Sequence, residues 1–291
     1  MKLVDGYTLM HEHVHLDLSR IKGDQDTCLD CKEETIREFK KLYNHGVRNI
    51  IEVSNIGMGR DLAYIDEVAK KTGINIIKST GCYKDPFILP DQLAMTEDEL
   101  ALMMIDEIEK GFNEGYGKAN MIGEIGTSKN EWTDAEKKLF NAAVQAHQKT
   151  KCPIYTHTTL STLALEQAQY FVANGVDVSK VVIGHVDLND DIQYILSVLK
   201  TGVNVGFDTI GKNNYLSDDI RISHLLEIEK EGYIGQIVLS EDLTRKSHLE
   251  YLGGIGYSYL FETFIPNLKH AGIKDKSIEM MLVNNPKRIM E

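Results

Sequence analysis

Cysteine, proline and tryptophan are scarce in this chain: four, five and one among 291 residues. The only close cysteines are Cys28 and Cys31, in a single CLDC with no second pair at zinc-ribbon spacing, which argues against a structural-zinc or redox pair. They read as two reduced thiols in a loop, as a reducing compartment keeps them. Positive charge is also short. With 32 basic against 44 acidic residues the net charge is −12, so neither a nucleic-acid groove nor an anionic membrane surface is expected as a partner. No apolar run reaches the roughly 18 residues of a spanning helix. The first residues lack the basic region and apolar stretch of a signal peptide, so a soluble, cytoplasmic protein is the expectation. Linkers rich in Pro, Gly or Ser, low-complexity tracts and charge blocks are missing as well. Residues 1–291 are therefore read as one domain, and 42% hydrophobic residues suffice for its core.

Short β-branched runs recur along the length: YTLMHEHVHLDL, VRNIIEVS, INIIKSTGCY, NMIGEIGTS, PIYTHT, VVIGHV, VNVGFDT and QIVLSED. Continuous runs of this kind suit parallel strands covered on both faces. Amphipathic segments separate most of them. ETIREFKKLYNHG carries Ile36, Phe39, Leu42 and Tyr43 at helical spacing, and TEDELALMMIDEIEKGF opens with Thr96 and Glu99 in a capping-box pattern. Strand–helix alternation through eight cycles predicts an α/β fold, a single (β/α)8 TIM barrel. An open doubly wound sheet is the rival, but HVHLDLSRIKGD follows the first strand where a glycine-rich turn would be expected.

Polar residues collect at the ends of these runs. On a strand, residues two apart share a face, so His11 and His13 project together, with His15 a candidate to follow. Two parallel imidazoles are costly to bury alone and form a natural ligand pair for a divalent metal. Later runs end with Glu124 in GEIGT, His157 in YTHT, His185 and Asp187 in IGHVD, Asp208 in GFDT, and Glu241 and Asp242 in LSED. In a closed parallel barrel all of these surround one mouth. Imidazole plus carboxylate favours zinc, with manganese, cobalt or iron as alternatives. Six ligands exceed what one open tetrahedral zinc takes and fit two divalent ions. His11, His13 and Asp242 are assigned to one ion and His157 and His185 to the other. Glu124 and a water-derived hydroxide bridge them. Asp242 is the expected proton acceptor, and Asp187 or Asp208 would orient ligands or relay the proton.

TLMHEH, EIGTS, THT, IGH and the strand-8 Asp, in this order, resemble the phosphotriesterase family of the amidohydrolase superfamily, most closely the members called phosphotriesterase homology proteins. FDTIGKNNY, DLTRKSH and NNPKR extend the resemblance over nearly the whole chain. It implies that His11, His13 and Asp242 hold the more buried ion and His157 and His185 the more exposed one. The family's bridging position, a carbamylated lysine in phosphotriesterase itself, falls here on Glu124. Its arm is shorter, so the backbone is expected to approach more closely or the ions to shift. The short N-terminal segment is expected to leave the barrel bottom less well plugged. A homodimer is usual for such relatives.

Substrate contacts are sought in the loops. Lys212 and Tyr215 follow the seventh run; Arg245, Lys246 and His248 follow the eighth, ahead of a flexible GGIG. Loops seven and eight of barrels often hold phosphate, and Arg245, Lys246 and Lys212 offer cations for it. Tyr83, in TGCYKDP, is a candidate hydrogen-bond donor to a substrate carbonyl, and the resemblance to lactone-hydrolysing members supports that role. Trp132 reads as a packing residue, and no aromatic pocket for bulky neutral organophosphates is evident. These residues lead to a hydrolase for a small polar ester or lactone, with a phosphorylated sugar lactone as the specific candidate. A phosphoester hydrolase and a non-catalytic metal-binding barrel are the alternatives.

Overall fold

β-Branched residues dominate the eight runs, and each run becomes a parallel strand. The structure, a computed structural model, describes residues 2–291. Its barrel strands are β1 (Tyr7–Glu12), β2 (Val47–Glu52), β3 (Asn75–Thr80), β4 (Met121–Thr127), β5 (Ile154–Thr158), β6 (Val181–Ile183), β7 (Asn204–Phe207) and β8 (Ile237–Leu239). Each pairs in parallel with the next in sequence order. Helices α1 (Lys32–Asn44), α2 (Leu62–Thr72), α3 (Glu97–Glu109), α4 (Asp134–Thr150), α5 (Ala164–Ala173), α6 (Ile192–Leu199) and α7 (Asp218–Lys230) cross between consecutive strands, and α8 (Ile265–Ala271) follows the last. This is the (β/α)8 barrel that the alternation predicts. The Thr96–Glu99 capping box starts α3, and a second box, Thr133–Glu136, starts α4. Among the described residues no helix is long and apolar enough to cross a membrane.

Strand side chains alternate between two layers. Met10, Ile51, Ile77, Met121, Tyr155, Val182 and Val238 fill the barrel interior. Their neighbours Leu9, Ile50, Ile76, Ile122, Ile154, Ile183 and Leu239 pack outward against the helices. Near the mouth, β1 and β4 break this alternation. In β1, Leu9 faces Ile50 and Glu12 faces Glu52, so three steps run against two. In β4, Ile122 faces Ile154 and Ile125 faces Thr156, again three against two. Each extra residue is a β-bulge that turns the next side chain to the other face. Strict alternation would send His11 and Glu124 out with Leu9 and Ile122. The bulges turn both inward.

The seam between β1 and β8 is stitched by side chains. The Ser240 hydroxyl accepts from the His11 N–H at 2.9 Å, and the Glu12 carboxylate accepts from the Glu241 N–H at 2.8 Å. β1 ends at Glu12, so the apolar stretch after it does not prolong the strand. Leu16–Asp17 instead pairs antiparallel with Cys28–Leu29. All four cysteines are free, and Cys31 Sγ meets the Tyr251 hydroxyl at 3.2 Å. The barrel bottom is not left open: Ile289, fully buried, and Leu3 pack on the interior cluster. Asn285 anchors the C-terminal turn by donating to the Ile237 carbonyl at 2.7 Å.

Candidate metal centre

The bulges and strand ends bring His11, His13, Glu124, His157, His185 and Asp242 to one cavity mouth. Glu124 stands at its centre. Its Oε2 lies 3.6 Å from His11 Nε2, 3.4 Å from His157 Nδ1 and 3.5 Å from His185 Nε2, and its Oε1 lies 3.7 Å from His13 Nε2. Asp242 Oδ1 faces His13 Nε2 at 3.1 Å and His11 Nε2 at 3.3 Å. Donor atoms of His11, His13 and Glu124, of His11, His185 and Asp242, and of Glu124, His157 and His185 form three groups within metal-ligating reach.

Local sequence explains how Glu124 gets there. Gly123 adopts φ +146°, and a Cβ on it would stand 2.3 Å from the Tyr155 carbonyl oxygen, so only glycine fits the bulge. The Glu124 N–H donates to the Val53 carbonyl at 3.1 Å, and Asn55 Nδ2 donates to the Glu124 carbonyl at 2.8 Å. The backbone is thus brought inward and pinned, which is how the shorter glutamate arm reaches the centre.

A surrounding layer of polar groups orients the imidazoles. Asp208 Oδ1 accepts from His185 Nδ1 at 2.9 Å and from the His185 N–H at 2.8 Å, while its Oδ2 accepts from the Tyr155 hydroxyl at 2.7 Å. His13 Nδ1 is 2.8 Å from Ser54 Oγ. Both rings therefore turn Nε2 toward Glu124 and Asp242. His157 is reversed: its Nε2 lies 3.2 Å from Thr159 Oγ1, leaving Nδ1 to face Glu124.

The charges follow from these contacts. Burial would raise the Glu124 pKa, but His11, His157 and His185 outweigh it and hold the carboxyl well below its usual range. Asp242 is likewise held well down, with Lys212, His11 and His13 outweighing burial. Burial lowers His157 to about 4, whereas Asp208 and Glu124 outweigh burial at His185 and hold it well above its usual range, and Asp242 and Glu124 outweigh it at His13 and raise it. Burial also pushes the Tyr83 phenol well up, so it keeps its proton.

His11 Nδ1, His11 Nε2, His13 Nε2 and Glu124 Oε2 are buried without a hydrogen-bond partner among the described residues. Each such atom costs about 1–3 kcal/mol. Concentrated around two anionic carboxylates, this nitrogen-rich donor set fits divalent cations.

The cavity above the centre measures about 260 Å³. Tyr83, Lys212 and Tyr215 line it, and the Tyr83 hydroxyl lies 3.2 Å from His157 Nδ1. Lys212 is ion-paired with Asp242 Oδ2. The expectation that Arg245 and Lys246 reach a substrate is not met. Arg245 pairs with Asp24 at 2.7 Å and Asp26 at 3.3 Å, Lys246 pairs with Asp30 at 2.6 Å, and neither lines the cavity. Acidic residues of the loop after β1 intercept both cations. His15 also stays out, with its Nδ1 2.8 Å from the Gly59 carbonyl. Asp187 binds the buried Arg221 at 2.8 Å and fixes the loop after β7 rather than the imidazoles. Glu241 caps the Leu260 N–H at 2.9 Å. Trp132 packs on Phe140 and Tyr170. Sequence reasoning missed two lining lysines, Lys22 and Lys84, and the orienting groups Ser54, Tyr155 and Thr159. Lys84 directly follows Tyr83 in GCYKDP, the one signal that could have found it.

The model of the Phosphotriesterase family matches residues 3–290. The chain belongs to the phosphotriesterase family. It is thus a member of a family of binuclear-metal hydrolases, and its His and Glu groups could hold metal. The phosphotriesterase homology protein of Escherichia coli (strain K12) is 44% identical over 98% of both chains. The crystal structure of that protein, complexed with phosphate in its active site, has a TM-score of 0.96 and covers 98% of this chain and 99% of its own. The N-acetyltaurine hydrolase of Dictyostelium discoideum is 34% identical over 89% of this chain and 73% of its own. The phospho-furanose lactonase of Mycoplasmopsis synoviae (strain 53) is 32% identical over 89% of this chain and 79% of its own.

Proposed function

We propose that this protein is a binuclear-metal-dependent hydrolase of a small polar ester or lactone, with a phosphorylated sugar lactone as the specific candidate. The observation that carries the reading is the ring of four imidazoles around Glu124, in which His11 and His13 keep buried nitrogens without a hydrogen-bond partner among the described residues. His11, His13 and Asp242 would hold one ion, His157 and His185 the other, with Glu124 shared. Two divalent ions held there, zinc first and manganese or cobalt as alternatives, would polarise the ester oxygen and acidify the attacking water.

The chain's own groups supply the rest. Asp242 Oδ2 is taken by Lys212, which leaves Oδ1 beside the reacting centre to accept the water proton. As the water oxygen bonds to the carbonyl carbon and the ring C–O bond breaks, that proton passes to the leaving alkoxide. Tyr83, held protonated, donates a hydrogen bond to the substrate. Leu18, Met58, Phe87 and Leu160 restrict water in the cavity, whose volume lies just below the ~300 Å³ where ligand pockets usually begin. That size suits a sugar-sized molecule. The lactonase relative supports this reading.

A second reading, phosphoester hydrolysis, is supported by the phosphate in the Escherichia coli relative's active site. Chelated protein reloaded with zinc or manganese is assayed on lactones, phosphodiesters, phosphotriesters and an N-acyl amide. Lactone turnover without a bicarbonate requirement is expected. Lactone inertness beside phosphodiester turnover would favour the second reading, and tight metal binding with no turnover at all would leave a non-catalytic barrel.

A further inference from the structure

Seven residues other than glycine take a positive φ among those described: Asn130, Lys151, Leu160, Ser161, Leu163, His185 and Asp242. Asparagine tolerates this region, and Lys151 ends α4. His185 and Asp242 belong to the candidate metal centre. The other three fall together in the loop between β5 and α5, shortly after His157. Leu160 (φ 54°, ψ 43°) and Leu163 (φ 64°, ψ 17°) are bulky side chains in a conformation that crowds Cβ against the following carbonyl oxygen. Neighbouring loops hold the segment there. Thr159 Oγ1 donates to the Thr127 carbonyl at 2.7 Å, Ser161 Oγ donates to the Val186 carbonyl at 3.3 Å, and Thr162 Oγ1 accepts from the Asn130 N–H at 3.1 Å.

Packing does not offset the strain at Leu160. The residue is 43% exposed, yet it lines the cavity together with His157, His185 and Leu188. A leucine that gains little from burial keeps a disfavoured backbone where the site uses its side chain. We propose that Leu160 is a specificity-determining residue, a wedge at the cavity rim that limits the bulk of the acyl group able to reach the metal centre. Hydroxyl-sized substituents beside the carbonyl pass it, and alkyl branches do not. The inference rests on the cavity being the substrate site proposed above, and it narrows the substrate to esters or lactones without an alkyl branch next to the carbonyl.

The test reads binding and stability, so it does not depend on turnover. Calorimetry on the metal-loaded protein compares butanoate with 2-ethylbutanoate, the acids that an unbranched and a branched acyl group would leave. Wild type should bind butanoate about 10-fold tighter, the scale on which overfilling a packed site acts. Leu160→Gly should bring the two acids within about twofold, while Leu160→Asn, close to leucine in size, should keep most of the preference. Both variants should unfold at or above the wild-type temperature, because glycine and asparagine accept the left-handed backbone. A preference unchanged in Leu160→Gly would overturn the proposal, as would equal binding of the two acids, or of neither, by wild type. Loss of the preference in Leu160→Asn would assign the effect to the backbone and overturn the role of side-chain bulk. A clear fall in the unfolding temperature of Leu160→Gly would show a leucine kept for packing, and loss of an ion from it would make the loop a support for His157; either result refutes the wedge. If the preference follows Leu160 while no ester or lactone is hydrolysed, the hydrolase reading fails and the wedge stands.

Discussion

Replacing Asp208 by Asn should weaken one metal site without unfolding the protein. Asp208 accepts three hydrogen bonds, from the Tyr155 hydroxyl, the His185 N–H and His185 Nδ1, all between 2.7 and 2.9 Å. Alanine at this position would leave three buried donors unpaired at about 1–3 kcal/mol each. That approaches the whole stability of a domain. Asparagine can keep its carbonyl toward His185 and turn its amide to the Tyr155 hydroxyl, which can accept. What it removes is the negative charge that fixes the His185 tautomer and strengthens the imidazole as a donor. Loss of such an orienting partner typically costs 10–100-fold in metal affinity, or about 1.4–2.7 kcal/mol. Zinc titration against a competing chelator should therefore show the equivalent bound through His185 weakened by that factor. The equivalent bound through His13, oriented by Ser54 instead, should change less. Two unaltered zinc affinities in Asp208→Asn would refute the argument that this carboxylate orients a ligand.

Glu124→Ala should lower occupancy of both ions together, read by elemental analysis; one ion retained at wild-type affinity would contradict sharing. Gly123→Ala should cost about 3 kcal/mol or more in denaturant unfolding, because its Cβ would stand 2.3 Å from the Tyr155 oxygen in a backbone region that L-residues avoid. Ile289→Ala should cost about 2–4 kcal/mol at the barrel bottom, where the side chain is fully buried, and leave metal content intact. Arg245→Ala should change kcat/KM by no more than about threefold, as a charge matched at the loop surface predicts. A loss of 100-fold would return Arg245 to the substrate.

Much of the molecule was written locally. The β-branched runs, the helical spacing of Ile36, Phe39 and Leu42, and the Thr96–Glu99 box depend on residues a few positions apart, and hydrophobic periodicity with capping chemistry is enough to specify them. The gathering of the strand ends at one mouth follows from barrel closure, since parallel strands share one C-terminal rim. Three decisions lay beyond that reach. The bulges at Met10–His11 and Gly123–Glu124 turn the ligands inward, and a bulge is a relation between two strands, invisible in either one. Which nitrogen of each imidazole faces Glu124 depends on Ser54, Asp208 and Thr159, residues from other strand ends. Which cations remain available depends on which carboxylates the folded loops set beside them. Asp24, Asp26 and Asp30 claim Arg245 and Lys246, while Lys212, also paired with a carboxylate, stays in the cavity lining. Patterns of burial are one-dimensional and survive in sequence, whereas the pairing of charges is a matter of distance, and only the packed chain sets distances.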